Sequence, residues 1–183
     1  MIMLVWAAVI AGCVGLDQLT KVLIVRSYEL GESHEIIKGV IDFTHVQNKG
    51  AAWGMLSDNR WVFIAISAVL IVVLPIILYK YRRVHALFGI SMSFIIGGAI
   101  GNMIDRIFCG YVTDFIEFSF VNFPVFNVAD CFVTVGAVMM FIYLVFIDKT
   151  IFKSNKKKDE GSADALPDGS FGEEEQDDTD GQK

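Results

Sequence analysis

Charge is sparse in this 183-residue sequence, and its few prolines, cysteines and histidines form no known motif. Hydrophobic residues make up 54% and charged residues 20% of the chain, whereas about a quarter of a soluble domain is charged. The three cysteines include no CxxC pair, and the three histidines have no metal-ligand spacing. With a mean hydropathy of +0.54, the composition predicts a membrane protein, and we assign it no metal and no cofactor.

The motifs of two common hydrolase classes are also missing. No HExxH segment occurs, which argues against a metalloprotease of that type, and no serine lies in a G-x-S-x-G turn. We interpret His34, His45 and His85 as ordinary polar residues. Carboxylates remain as candidates for catalysis, although two aspartates could also hold a divalent ion.

The net charge of -6 is misleading, because the acidic residues are concentrated at the C-terminal end. Residues 159–183 contain ten of the 21 acids and one base, whereas residues 1–158 contain 14 bases and 11 acids. The terminal segment has almost no aliphatic side chains, so it has too little apolar surface to fold. We predict a membrane domain over residues 1–158 and a disordered acidic cytoplasmic tail over residues 159–183.

Four apolar stretches are long enough to cross a bilayer, which takes about 20 helical residues. We place the spans at about 2–25, 61–79, 84–105 and 125–147. The polar segment between the first two spans, residues 26–60, contains an alternating stretch at 40–46 that is typical of a short strand. The predicted fold is therefore an all-α membrane protein, with four transmembrane helices and a small extracytoplasmic β-containing segment.

Basic residues indicate which ends of the spans face the cytoplasm. Lys80, Arg82 and Arg83 form a short turn between the second and third spans, and a lysine cluster follows the fourth span. Short loops rich in Lys and Arg stay in the cytoplasm. We therefore expect both termini inside, and residues 26–60 and 106–128 outside.

Polar residues cluster around the junction between the third and fourth spans, at one membrane surface. Ionisable groups are costly at this depth, and function is the default reason for keeping them. Asp114 follows an extended Val-Thr pair and Asp130 lies just inside the fourth span, so their carboxyl groups could face each other. Two close carboxylates that share one proton can act as acid and base. Residues suited to orient this pair or a substrate by hydrogen bonds are Asn102, Arg106 and Asn127.

Other polar residues are candidates for supporting roles. Asp17 and Lys21 are four residues apart and share one helix face, as an ion pair that is either structural or directed at the substrate. Asn48 and Gly50 belong to a turn of small residues, which permits close approach of a ligand or a neighbouring strand. We count all four as substrate-binding or pair-orienting candidates. Asp105 is expected to pair locally, as a structural polar residue.

Five short motifs, in order between the apolar stretches, resemble those of the lipoprotein signal peptidase family, the type II signal peptidases of bacteria. They lie within roughly residues 1–150 and read Asp17-Gln18-x-x-Lys21, Asn48-x-Gly50-Ala51-Ala52, Gly101-Asn102-x-x-Asp105-Arg106, Val112-x-Asp114-Phe115 and Phe126-Asn127-x-Ala129-Asp130. Each motif alone is weak, but five in order are specific. The sequence departs from the family pattern at Trp53, where phenylalanine is common, at Thr113, where an apolar residue is usual, and in its acidic tail.

This resemblance implies an aspartic endopeptidase of the bacterial cytoplasmic membrane, with Asp114 and Asp130 as the catalytic pair on the extracytoplasmic side. Enzymes of this family cleave diacylglyceryl-modified prolipoproteins just before the lipidated cysteine. The implied partners are that substrate and membrane lipid, and neither a nucleic acid nor a cofactor is expected.

A small ion-coupled membrane transporter is the alternative from another class, because acids and a lysine inside a helix bundle could form an ion path. Such a path needs polar groups through the depth of the bilayer. Here the inner halves of the spans are almost wholly apolar and the acids lie at one surface, which favours the peptidase. The sequence leaves open the preferred lipoproteins, the oligomeric state, the role of the tail, the first base of the pair and the motion of residues 26–60.

Overall fold

The computed structural model describes residues 2–50, 59–81 and 85–148 of the chain. The elements in these ranges are α1 (Ile2–Ser27), β1 (Ser33–Ile37), β2 (Ile41–Asn48), α2 (Arg60–Lys80), α3 (Ala86–Phe108), β3 (Val112–Phe118) and α4 (Val128–Ile142). A turn of π-helix, Tyr143–Ile147, continues α4. The predicted tail at 159–183 and the departure at Trp53 lie outside the described residues.

The four helices, with α4 counted to Ile147, each have the length and composition of a membrane span. Their outer faces are apolar as well, and Val69 and Phe141 are 60% and 63% exposed. Lipid tails would cover such side chains, and a helix satisfies its own backbone hydrogen bonds in that environment. The prediction of four transmembrane helices with a small β-containing segment is confirmed.

Helix α3 is the centre of the bundle and contacts each of the other three helices. The buried hydrophobic cluster that joins α1, α2 and α3 consists of Trp6, Leu78, Met92 and Ile96. Near the polar end of α3, Gly101 lies against the carboxyl group of Asp17, which would collide with any Cβ at this position. The absence of a side chain at Gly101 therefore lets the polar end of α1 pack directly on α3.

The three strands form one antiparallel sheet in the order β1-β2-β3. The pairing of β2 with β3 places Val46 opposite Asp114, and Asn48 opposite Val112. The alternation at residues 40–46 predicts β2 but not its pairing with β3, because α2 and α3 separate the two strands in the sequence. This pairing brings the turn that follows β2 next to Asp114.

Candidate active site

Two different elements position Asp114 and Asp130. Asp114 is a buried residue of β3, and Asp130 lies in the first turn of α4. Between them the chain folds back, and Phe126 forms an isolated antiparallel bridge with Ile116 of β3. This return places the beginning of α4 beside the strand that carries Asp114.

Asn127 and Asp130 form a reciprocal capping box at the beginning of α4. The Oδ1 atom of Asn127 accepts a hydrogen bond from the backbone N–H of Asp130 at 3.0 Å. In return, Oδ2 of Asp130 accepts from the backbone N–H of Asn127 at 3.2 Å. A capping box satisfies two N–H groups that a helix end leaves unpaired. The local folding of the helix start thus fixes one oxygen of Asp130.

Two asparagine amides connect the carboxyl groups of Asp114 and Asp130. The Nδ2 atom of Asn127 donates to Oδ1 of Asp114 at 2.6 Å and to Oδ1 of Asn102 at 3.1 Å. The Nδ2 atom of Asn102 then donates to Oδ1 of Asp130 at 2.8 Å. The two aspartates are therefore linked through a continuous chain of buried or half-buried hydrogen bonds.

Asn48, which is oriented by Gly50, holds the other oxygen of Asp114. The Nδ2 atom of Asn48 donates to Oδ2 of Asp114 at 2.8 Å. Its Oδ1 atom accepts from the backbone N–H of Gly50 at 2.9 Å, which sets the orientation of the amide. Both oxygens of Asp114 thus accept hydrogen bonds, one from each side of the site.

Lys21 determines the orientation of the Asn102 amide. Its ammonium group lies 3.0 Å from Asp17 Oδ2 and 3.1 Å from Asp105 Oδ2, and donates to Asn102 Oδ1 at 2.9 Å. Because an ammonium group only donates, it must face the amide oxygen, and the amide nitrogen then points to Asp130. Lys21 is 3% exposed, and a buried charge requires partners of this kind.

Asp17 and Asp105 each also bind a backbone N–H. Asp17 Oδ1 accepts from the N–H of Ala129 at 2.9 Å, which ties α1 to the beginning of α4. Asp105 accepts from Gln18 Nε2 at 2.9 Å and from the N–H of Thr113 at 3.0 Å. Our expectation that Asp105 pairs locally is wrong, because these partners and Lys21 are distant in the sequence. Asp105 instead joins α1, α3 and β3.

Arg106 lies at the edge of the same region. Its guanidinium carbon is 5.0 Å from the centre of the Phe63 ring, so the cation packs on an aromatic face of α2. Its Nη1 atom donates to the backbone oxygen of Asn102 at 3.4 Å, a long hydrogen bond. Arg106 also lines the cavity that the two aspartates border.

Burial raises the pKa of Asp114 to about 7. The hydrogen bonds from Asn48 and Asn127 and the charge of Lys21 lower this pKa, whereas the charge of Asp130 raises it. Burial is the largest of these effects, because an ionised carboxylate loses its hydration there. Near neutral pH, Asp114 is therefore a carboxyl group that can both hold and release a proton.

The two aspartates border an open cavity of about 600 Å³. The lining from α2, β3, α4 and the loop before α4 is mainly apolar and includes Phe63, Val112, Phe118, Phe123, Pro124, Phe126 and Val135. The ring of Phe118 packs against those of Phe123 and Phe126, at centroid distances of 5.8 and 5.2 Å. We did not predict this aromatic wall, although five phenylalanines between residues 115 and 126 are a visible signal.

All the candidate residues predicted from the sequence lie in one connected region. It contains Asp17, Lys21, Asn48, Gly50, Asn102, Asp105, Arg106, Asp114, Asn127 and Asp130. Gln18 is a further member that we did not predict as a site residue, since a glutamine beside an aspartate carries little signal by itself. Within the described ranges, no group of three or more His, Cys, Asp or Glu residues is arranged to hold a metal ion.

Comparison with known proteins links this region to a family. Residues 9–146 match the family model described as signal peptidase (SPase) II. The chain is 40% identical over 148 residues to the lipoprotein signal peptidase of Enterococcus faecalis, covering 81% of this chain and 92% of that protein. It is 43% identical over 144 residues to that of Brevibacillus brevis, covering 78% and 96%. With the same enzyme of Listeria monocytogenes it shares 45% identity over 137 residues, covering 74% and 88%.

Two solved structures have a similar fold. One is described as a bacterial membrane enzyme solved by the in meso method at 2.3 Å resolution, with a TM-score of 0.69 and 28% identity. The similarity covers 90% of this chain and 94% of that one. The other, a bacterial membrane enzyme at 1.9 Å resolution, has a TM-score of 0.69 and 31% identity over 78% and 94% of the two chains.

Proposed function

The chain belongs to the signal peptidase II family of aspartic peptidases, and we propose that Asp114 and Asp130 are the residues that hydrolyse the peptide bond. As a member of this family, it is a multi-pass membrane enzyme with lipoprotein signal peptidase function. The observation that carries this proposal is the chain of amide hydrogen bonds from Asp114 through Asn127 and Asn102 to Asp130. It holds two carboxyl groups at the edge of one cavity, where both can reach a bound peptide.

The surroundings of the two residues favour different starting roles. Asp130 lies at the N-terminal end of α4, where the helix dipole stabilises a negative charge, and it accepts hydrogen bonds from two N–H groups. Asp114 has a pKa of about 7 because of burial, so a large fraction of it is protonated at neutral pH. We assign Asp130 as the first base and Asp114 as the first acid.

With these roles, the two aspartates can hydrolyse a peptide bond by moving the one proton that they share and activating one water molecule. Asp130 removes a proton from a water molecule, whose oxygen attacks the scissile carbonyl carbon, while Asp114 gives its proton to the carbonyl oxygen. The tetrahedral intermediate collapses as Asp130 gives its proton to the leaving nitrogen and a hydroxyl proton returns to Asp114. Two carboxyl groups that share one proton can exchange roles in this way.

The cavity fits a substrate held in the membrane. We propose a prolipoprotein as the substrate, as the name of the related enzymes suggests. The five motifs that resemble this family further imply that the substrate is diacylglyceryl-modified and is cleaved before its lipidated cysteine. The apolar wall of Phe63, Phe118 and Phe126 suits the hydrophobic part of a signal peptide, and the polar end holds Asn48, Arg106 and the aspartates. Small apolar pockets with a few directed polar groups are typical of binding sites. The side chains at the polar end of the cavity would determine which substrates the enzyme cleaves.

We also propose that both termini face the cytoplasm and that the aspartates lie on the extracytoplasmic side of the bacterial cytoplasmic membrane. The support is the basic turn near Lys80 and the presence of four spans among the described residues. Reporter fusions after Lys158 and within the loop after β3 should report opposite compartments. An extracytoplasmic signal from the Lys158 fusion would contradict this topology.

The catalytic roles can be tested with purified full-length variants acting on a lipid-modified precursor. Asp114→Asn and Asp130→Asn should each lower the rate at least about 1,000-fold, because neither amide can carry a proton through the cycle. Asp42→Asn makes the same chemical change on the neighbouring strand β2 and should retain nearly full activity. Turnover by either site variant within tenfold of the parent would remove that aspartate from the mechanism.

A further inference from the structure

A second cavity lies on the other face of β2 and its following turn. Successive strand residues point to opposite faces, and accordingly Asn48 lines the aspartate cavity whereas Gln47 and Lys49 line the second one. The second cavity is open and has a volume of about 470 Å³. No described residue lines both cavities, so the second one is a separate place on the enzyme.

The second cavity is positively charged. Lys49 and Arg60 contribute two cations, and none of the described lining residues is acidic. The guanidinium carbon of Arg60 lies 4.8 Å from the centre of the Trp61 ring, a cation–π contact that holds it in place. Clefts lined by one sign of charge attract the opposite sign. The ligand that fits this lining is an anion.

Gly110 gives Arg60 its position over the turn between α3 and β3. The backbone of Gly110 has a φ of +84°, which favours glycine. A Cβ atom at this position would lie 2.9 Å from Nη1 of Arg60, so the end of the Arg60 side chain would have to shift slightly if another residue replaced Gly110. The end of the Arg60 side chain therefore lies directly against this turn.

The surroundings of this cavity are those of a membrane surface. It lies where α2 begins and α3 ends, and the neighbouring Trp61 and Phe108 are 68% and 81% exposed. Tryptophan side chains gather at the level of the lipid headgroups, and cations there attract anionic lipids. A molecule bound at this place meets cations at one end and apolar side chains along the helices.

We propose that the second cavity binds the phosphate group of an anionic phospholipid from the leaflet on the Asp114 side of the membrane. Lys49 and Arg60 would contact the phosphate oxygens, and the acyl chains would lie along the exposed side chains of Ile107 and Phe108. This site does not rest on the proposed catalytic roles, because it involves none of the same residues.

The experiment uses the full-length protein in detergent, titrated with phosphatidylglycerol or with phosphatidylcholine of the same acyl chains. Native mass spectrometry counts the lipids retained. The parent should retain one phosphatidylglycerol at least about tenfold more tightly than phosphatidylcholine. The double variant Lys49→Gln/Arg60→Gln should lose about 30-fold in affinity for phosphatidylglycerol, since each cation near a membrane surface contributes about fivefold.

Two further variants separate a built site from general charge. Arg26→Gln/Lys38→Gln removes the same charge outside the cavity and should leave phosphatidylglycerol binding within about twofold of the parent. Gly110→Ala keeps both cations and shifts only the end of the Arg60 side chain, so its loss of affinity should be smaller than the roughly fivefold loss expected for one missing cation. Thermal unfolding identifies any variant that fails to fold. If the double variant Lys49→Gln/Arg60→Gln fails to fold, the single variant Lys49→Gln replaces it, with an expected fivefold loss of affinity.

Three results would overturn the proposal. The first is equal retention of the two lipids by the parent, and the second is an equal loss of binding in the Arg26→Gln/Lys38→Gln control. The third is displacement of phosphatidylglycerol by millimolar inorganic phosphate, which would make this a site for free phosphate rather than for lipid.

Discussion

Asn127 and Asp130 bond to each other in both directions, each accepting from the other's backbone N–H. The amide nitrogen of Asn127 also donates to Asp114 at 2.6 Å. The residue that begins α4 therefore touches both aspartates, and the helix cap and the candidate active site are one structure. Any change that unwinds the first turn of α4 must also move the carboxyl group of Asp130.

Asn102→Asp should lower kcat at least about 100-fold. The new carboxylate still accepts from Lys21 and Asn127, but it cannot donate to Asp130 and places a negative charge 2.8 Å from that residue. Losing this donor and adding the charge moves the Asp130 carboxylate out of position, and an increase of about 3 kcal/mol in the barrier gives a loss of this size. Asn122→Asp, the same change in the exposed loop before α4, serves as control. Equal activity of the two variants would show that the Asn102 amide is dispensable.

The rate of cleavage should fall as the pH rises through about 7. Burial raises the pKa of Asp114 to about this value, and the proposed mechanism needs its proton at the start. Above the pKa the protonated fraction decreases tenfold per pH unit, so kcat/KM at pH 8 should be about tenfold below its plateau. The measurement is kcat/KM from pH 5 to 9 in one detergent, with unfolding monitored at each pH. A flat profile up to pH 9 would contradict the assignment of Asp114 as the acid.

Asp114→Asn should stabilise the protein at pH 8 but not at pH 4. The native state binds the Asp114 proton more tightly than the unfolded state, so this residue costs stability increasingly as the pH rises from about 4 to 7. The full cost is about 4 kcal/mol. An asparagine leaves one donor facing another donor, at a penalty of about 1–3 kcal/mol, so the net gain is about 1–3 kcal/mol.

The midpoint of thermal unfolding at the two pH values measures this gain. Glu29→Gln, which removes an exposed carboxylate before β1, is the matched control and should shift the midpoint little at either pH. A lower midpoint for Asp114→Asn than for the parent at pH 8 would count against a burial penalty at this residue.

Lys21→Met should destabilise the protein by about 3–5 kcal/mol, because Asp17 and Asp105 then remain buried without their cation. Adding Asp105→Asn removes one of these charges and should recover part of the loss, so the two changes are not additive. Lys38→Met, at an exposed turn, should have little effect. Unfolding free energies in detergent test the cycle, and additive losses would show that Lys21 and Asp105 do not interact.

The helices and the two aspartates could be predicted from the sequence, because both depend on local signals. Long apolar stretches give the spans, and isolated acids at a membrane surface are conspicuous. The capping role of Asn127 is local as well, since a cap and its partner lie three residues apart.

The partners of these residues could not be predicted, because they come from distant parts of the chain. The bond from Asn48 to Asp114 depends on the pairing of β2 with β3, and the position of Asp105 depends on the packing of α1 against α3. A neighbour in sequence, Arg106, is a natural but wrong partner for Asp105. In the folded protein, the packing of α1 against α3 places Lys21 beside Asp105 instead.

The hydrogen bond from the backbone of Ala129 to Asp17 connects the first helix to the last. During synthesis, α1 reaches the membrane with Asp17 and Lys21 long before the ribosome has made α4. Until then Asp17 lacks its partner on α4, and the chain contains no Asp130. The hydrogen-bond network that contains Asp17, Asp114 and Asp130 can therefore be completed only after the last helix has been inserted.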